Sequence, residues 1–164
     1  MLGSRFGWRC GRDRAANLKK LLVARDPCLR TAASVYLSFE DEDAGREALR
    51  ASLMLPGAPG GWAALTLARR GGKDAVPRAI QAMDQDEPSR LRINVCQGLR
   101  VLLSNTAAAS GRPQPPRLDL DSPDDRPARI TRFREACEAW WGEHGANTTL
   151  TDPWLPLCVE RKID

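Results

Sequence analysis

Hydrophobic positions recur along the first two-thirds of the chain at a fixed spacing of 31 residues. They form three series: Ala33, Ala64 and Val95; Leu37, Ala68 and Leu99; and Leu18, Leu49 and Ile80. A fixed period of this length is typical of stacked helical hairpins, because each hairpin buries its apolar face against the next one. The pattern therefore predicts three such hairpins within residues 13–104.

Apolar residues at i, i+3 and i+4 spacing predict the individual helices. We expect helices over residues 14–24, 28–39, 44–54, 62–70 and 90–104, with a short helix that starts near Asp74. The apolar residues of the second helix are Leu29, Ala32, Ala33, Tyr36 and Leu37. Turn residues separate these segments, including Asp26-Pro27 and the glycine-rich stretch at 57–61. No window of the sequence predicts a strand.

The repeat ends after residue 104, and a different organisation follows. Residues 105–122 are rich in Pro and Ala and predict a crossover loop. A final helix is expected within residues 123–145, where Phe133, Trp140 and Trp141 form an aromatic stripe. Such a stripe suits a capping helix that covers the open end of a helical stack. Residues 1–12 form a basic N-terminal segment, and residues 146–164 an irregular tail.

Several segments resemble HEAT-like repeats of bacterial type, which have an armadillo-type, α-solenoid fold. Residues 43–49 and 74–80 resemble the first helix of that repeat, and residues 86–92 its turn and second helix. Residues 137–141, Cys-Glu-Ala-Trp-Trp, are similar to the Trp-x-x-Trp-Trp pattern of a closing helix, with Cys137 in place of the first Trp. The resemblance implies an all-α fold: a short solenoid of three helical hairpins closed by a C-terminal Trp-bearing helix.

The resemblance also implies an Asp–Arg ladder between neighbouring repeats. Asp26 with Arg30 and Asp86 with Arg92 match the ladder positions. The middle repeat departs from the pattern, because Leu55 and Gly61 stand at the equivalent positions.

Charge is distributed unevenly along a chain whose formal net charge is +4. Residues 1–25 contain seven Arg and Lys against one Asp, whereas residues 40–43 form an acidic run. Basic surfaces bind nucleic acid or acidic proteins, although a solvated helix face has the same composition. The candidate partner-binding residues are Arg9, Arg12, Arg14, Lys19, Lys20, Arg69, Arg70 and Arg100, together with Trp62. Trp62 is either an exposed aromatic anchor or a residue that fills the space beside Gly60 and Gly61.

The sequence supplies little for catalysis or metal binding. His144 is the only histidine, and on a helix it would lie two turns from Cys137, roughly 10 Å, which is too far for direct proton transfer. The five cysteines form no CxxC pair and predict reduced thiols. The glycine-rich segments do not match a phosphate-binding loop. We therefore predict no catalytic residue, no metal site and no cofactor.

These observations predict a cytoplasmic, non-catalytic module for protein–protein interaction or scaffolding. The apolar runs are too short to cross a bilayer, so no membrane association is expected. The alternatives are a nucleic-acid-binding module that uses a basic face and a non-catalytic subunit of an enzyme complex. Self-association through the face of the N-terminal repeat is a further expectation, because no polar cap precedes that repeat.

Overall fold

The computed structural model describes residues 13–83, 90–115, 117 and 126–151. Within these residues it is all-helical, with no strand. The seven α-helices are α1 (Asp13–Leu21), α2 (Pro27–Glu40), α3 (Glu42–Ser52), α4 (Gly57–Arg69), α5 (Val76–Gln81), α6 (Arg90–Ser110) and α7 (Arg126–His144). Short 3-10 turns occupy Lys73–Ala75 and Gly145–Asn147. The all-α class predicted from the sequence is confirmed.

Aspartates define the N-termini of α2 and α3. The carboxylate of Asp26 accepts a hydrogen bond from the backbone N–H of Cys28 (2.8 Å), and Pro27 occupies the first turn of α2. The carboxylate of Asp41 accepts one from the backbone N–H of Ala44 (3.1 Å), while its own N–H donates to the carbonyl of Leu37 (2.8 Å). Asp41 thus ends α2 and starts α3, and the two helices are joined by this single residue.

Helix α4 begins at Gly57, five residues before the predicted start at Trp62. Gly57 adopts a positive φ of 71°, which favours glycine, and turns the chain into the helix. Gly60 and Gly61 lie inside α4 at positions that have no room for a side chain. A Cβ on Gly60 would overlap the carbonyl of Leu55, and a Cβ on Gly61 would overlap the side chain of Ala82. These glycines are therefore required by close packing, not by a loop.

Helix α6 continues to Ser110, six residues beyond its predicted end at Ser104. Residues 105–110 were expected to belong to the crossover loop. Thr106 and Ala107 are instead fully buried, and alanine, which fills positions 107–109, has the highest helix propensity. The helix ends at Gly111, whose φ is +61°.

The buried side chains form one large and one small cluster. In the first half of the chain, α2 packs on α1, α3 and α4; in the second half, α4 packs on α5 and α6, and α5 on α7. The large cluster is built by α4–α7 and their connections, and its bulkiest fully buried members are Leu99, Leu102, Leu103, Ile80, Met83 and Ile130. The small cluster consists of Val35, Leu49 and Ala63.

Helix α7 completes the large cluster with its aromatic residues. Phe133 and Trp140 are buried, and Trp141 is half-buried against the same cluster. The indole Nε1 of Trp140 donates a hydrogen bond to the carbonyl of Pro113 (2.9 Å). This bond fastens the chain that follows α6 onto α7.

Candidate functional site

The solvent-facing side of α2 is apolar. Leu29, Tyr36 and Phe39 are 41%, 51% and 37% exposed, and Ala32 lies half-buried between them. The spacings of three, seven and ten residues from Leu29 place these four residues on one side of the helix. We call this set the α2 stripe. A surface helix normally turns polar residues toward solvent, so the stripe is unusual.

The opposite side of α2 is buried and consists mainly of small side chains, many of them with hydroxyl groups. Its buried residues are Thr31, Ala33, Ser34, Val35, Leu37 and Ser38. A Cβ on Gly45 of α3 would overlap the backbone of Ser38, so the two helices approach too closely for a large residue between them. Only a small side chain fits where Ser38 faces Gly45, whereas Tyr36 lies on the exposed side of the helix.

The hydroxyl groups on the buried side form hydrogen bonds. The Oγ atoms of Ser34 and Ser52 lie 3.0 Å apart and share one hydrogen bond. Ser38 Oγ donates to the carbonyl of Val35 (2.7 Å), and Ser34 Oγ is also within 3.0 Å of the carbonyl of Arg30. The sequence predicts the apolar residues of α2 but not which of them are exposed. The signal was the spacing of Thr31, Ser34 and Ser38, which places small polar residues on one side of the helix.

Arg70, a predicted partner-binding residue, has an intramolecular role at the end of the α2 stripe. Its guanidinium donates a hydrogen bond to the carbonyl of Ser38 and lies over the ring of Phe39, 5.0 Å from the centroid. It thus caps the C-terminal turn of α2 and holds α4 against it. Burial lowers the pKa of Arg70 relative to its ordinary value.

Two basic residues of α1 are paired with acidic residues at the α2–α3 junction. Arg14 forms an ion pair with Glu40 and Lys19 with Asp41, each at 3.0 Å. The hydrogen bond from Lys19, followed by that from the backbone of Ala44, holds the pKa of Asp41 below its usual range. These pairs join α1 to the α2–α3 junction and neutralise two of the predicted cationic residues.

The other basic candidates lie on α1, α4 and α6 or outside the described residues. Lys20 donates a hydrogen bond to Asn17 (3.5 Å), while Arg9 and Arg12 lie outside the described residues. Arg69 is half-buried at the end of α4, and Arg100 is exposed on α6.

Trp62 is half-buried and packs against the small cluster of Val35, Leu49 and Ala63.

In the described part of the chain, no ion pair joins Asp26 to Arg30. The Asp26 carboxylate instead caps the N-terminus of α2. Arg92 is buried at 6% exposure, and Asp86 lies outside the described residues.

The titratable groups near α7 are poorly suited to nucleophilic chemistry. Cys96 and Cys137 are buried free thiols, and burial raises their pKa to about 11 and about 12 respectively. Both are therefore protonated at neutral pH, whereas the thiolate is the nucleophile. His144 is half-buried, and its ring lies edge-on to that of Trp140, with 5.2 Å between centroids. Among the residues searched, no group of three or more His, Cys, Asp or Glu is placed to hold a metal ion.

Comparisons with protein-family models, curated proteins and solved structures find no match to this chain. Over the described residues, none of the helices has the length and apolar character needed to cross a membrane. The exposure of its apolar residues makes the α2 stripe the candidate functional site.

Proposed function

We propose that this chain is a non-catalytic protein–protein interaction or scaffold module of HEAT-repeat type, and that it binds its partner through the α2 stripe. The observation that carries this proposal is the exposure of Leu29, Tyr36 and Phe39 on one side of a single helix. Aromatic and apolar residues grouped in this way supply most of the binding energy at protein interfaces.

The packing of the helices supports a HEAT-like interpretation. Helix α2 packs on α4, and α4 on α6, as the second helices of three stacked hairpins do. In such a stack the second helices line one face, and the α2 stripe lies at its N-terminal end. The partner proposed here presents an apolar segment, for example one side of an amphipathic helix.

The charges around the stripe favour a protein partner over nucleic acid. Glu40, the acidic residue next to the stripe, is neutralised by Arg14, and Arg70 is engaged with Ser38 and Phe39. Nucleic-acid binding requires several cations that are free to neutralise phosphates and weakens steeply with salt. Binding through the α2 stripe should instead persist at raised salt.

The test is affinity capture from source-organism lysate with three forms of the full chain: wild type, Leu29→Ser/Tyr36→Ser, and the control Glu47→Ser/Arg50→Ser. The control changes two exposed residues on α3. Each capture is repeated with nuclease and at raised salt. Circular dichroism checks that all three forms are equally helical, as expected for changes at exposed positions.

We expect a discrete protein that wild type and the α3 control retain under all conditions. The α2 variant should retain it at least tenfold less, since loss of hot-spot contacts typically costs more than about 1.4 kcal/mol. Retention of nucleic acid alone, lost at raised salt, would support the nucleic-acid alternative. A protein retained equally by all three forms would place the interface elsewhere on the chain.

A further inference from the structure

A concave feature lies beside α2, separate from the α2 stripe. It is a cavity of about 190 Å³ between the connection that follows α1 and the helices α2 and α3. Its apolar wall includes Leu22, Ala48 and Leu55, and its polar wall is formed by Arg30, Ser34 and Ser52. Arg30 is the one charged residue among those that line the cavity.

The polar groups of this wall differ in whether they are already hydrogen-bonded. The hydroxyls of Ser34 and Ser52 are buried at 1% and 5% exposure and bond to each other. Arg30 is half-buried, and its guanidinium has no hydrogen-bond or ion-pair acceptor among the described residues. Five N–H donors on a partly desolvated cation are therefore available at the edge of an apolar cavity.

The combination of a guanidinium with an apolar wall selects the chemistry of a ligand. Arginine binds carboxylates with two parallel hydrogen bonds, and this pairing is stronger where water is partly excluded. The apolar wall favours a hydrocarbon group on the same molecule. Since a cavity of about 150 Å³ holds benzene, about 190 Å³ accommodates roughly six to ten non-hydrogen atoms.

We propose that this cavity binds a small apolar carboxylic acid, with its carboxylate on Arg30 and its hydrocarbon chain against Leu22, Ala48 and Leu55. The site is separate from the α2 stripe, so this proposal does not depend on the identity of a protein partner.

The probes are hexanoate, hexan-1-ol and acetate, titrated into the full chain by calorimetry and by NMR. Hexanol keeps the hydrocarbon chain without the charge, whereas acetate keeps the charge with a minimal chain. We expect saturable binding of hexanoate with a Kd of roughly millimolar order, as is usual for a ligand of this size. Hexanol and acetate should each bind at least about fivefold more weakly, with NMR shifts for hexanoate centred on Ala48 and Leu55.

Two variants and a control locate the binding. Arg30→Gln should weaken hexanoate binding about tenfold without changing the affinity for hexanol, and Ala48→Leu should abolish binding of both by filling the cavity. Arg50→Gln, at an exposed position of α3 that does not line the cavity, should bind hexanoate as wild type does. Equal affinity for hexanoate and hexanol, equal affinity for acetate and hexanoate, or an Arg30→Gln variant that binds like wild type would each overturn the proposal.

Discussion

Helices α1–α3 and helices α4–α7 bury different kinds of side chain. In α4–α7 the fully buried residues include long branched side chains such as Leu99, Leu102 and Ile130. In α1–α3 the large fully buried side chains are Leu37 and Leu49, and Thr31 and three serines are buried beside them. Among the described residues, the large hydrophobic side chains that remain exposed all lie between Leu21 and Met54.

This difference separates the region that supplies most of the stability from the region that carries the proposed binding surface. Apolar area removed from water is the main source of stability, so the large cluster of α4–α7 provides most of it. The first three helices bury fewer large side chains, and close backbone approach, helix caps and ion pairs such as Arg14–Glu40 add to that burial. The exposed apolar residues Leu29, Tyr36 and Phe39 of α2 form the proposed binding surface.

The comparison is tested most strongly by truncating one leucine in each region. Leu99 and Leu49 are both 0% exposed, but Leu99 lies in the large cluster and Leu49 in the small one. We expect Leu99→Ala to lower the free energy of unfolding by about 4 kcal/mol and Leu49→Ala by about 2 to 3 kcal/mol. Urea denaturation followed by circular dichroism measures both. A larger loss for Leu49→Ala would reverse the assignment of stability to the two regions.

The close approach of α2 and α3 predicts the next largest effect. A Cβ on Gly45 would overlap the backbone of Ser38, and backbone cannot move aside as a flexible side chain does. Gly45→Ala should therefore destabilise the protein by about 2 kcal/mol, the range of an overpacked core. The matched control is Gly142→Ala on α7, where nothing lies within 4 Å of the new Cβ. Because alanine favours helix, we expect the control to gain about 0.5 to 1 kcal/mol. The measurement is the midpoint of thermal unfolding of each variant. Equal midpoints for Gly45→Ala and Gly142→Ala would contradict the prediction, because α2 and α3 would then move apart at little cost.

The sequence predicted the helices more reliably than the way in which they pack. Helical periodicity correctly placed a helix in each region, because it depends on the spacing of residues within one segment. It placed a break at residues 57–61, where glycines needed for close packing resemble turn glycines. It also ended α6 too early, because the burial of Ala107 depends on residues distant in the chain.

The candidate sites were harder to predict for the same reason. The pairing of Lys19 with Asp41 joins residues 22 positions apart, so the sequence showed a basic stripe and an acidic run but not their contact. The exposure of Tyr36 depends on which side of α2 packs against the neighbouring helices. The period of apolar residues identifies a stripe on a helix, but the neighbouring helices determine which side is buried.

The thiols of Cys96 and Cys137 predict a pH dependence that originates in the large cluster. Burial raises their pKa to about 11 and about 12 from an ordinary value of 9.0. Burial in the folded state favours the protonated thiols. The free energy of unfolding that this preference supports is fully present below pH 9 and is lost as the pH rises from there through the folded-state pKa values. The loss should be at most about 1.4 kcal/mol per thiol for each pH unit within that range.

The measurement is urea denaturation between pH 8 and pH 10.5 in a reducing buffer. The control is a Cys96→Ala/Cys137→Ala variant, which is less stable overall but should lose less stability with rising pH. Parallel pH profiles for the two forms would show that other groups cause the decline. As a second readout, exposed Cys28 should react with a thiol reagent at pH 8 in a Cys10→Ser/Cys158→Ser background, while Cys96 and Cys137 react only on unfolding.

The smallest expected effect concerns the polar interior of the first three helices. Thr31 is 0% exposed, and its Oγ1 is without a hydrogen-bond partner in the described structure. A buried hydroxyl without a partner costs roughly 1 to 3 kcal/mol, and valine has nearly the same shape without that hydroxyl. Thr31→Val should therefore raise the free energy of unfolding by about 1 kcal/mol, measured by urea denaturation.

Ser34→Ala is the contrasting variant, since it leaves Ser52 without its hydroxyl partner and should destabilise by a similar amount. If both changes proved stabilising, the hydroxyls of α2 would be a uniform cost, and the hydrogen bonds between α2 and α3 could not be what holds these helices together.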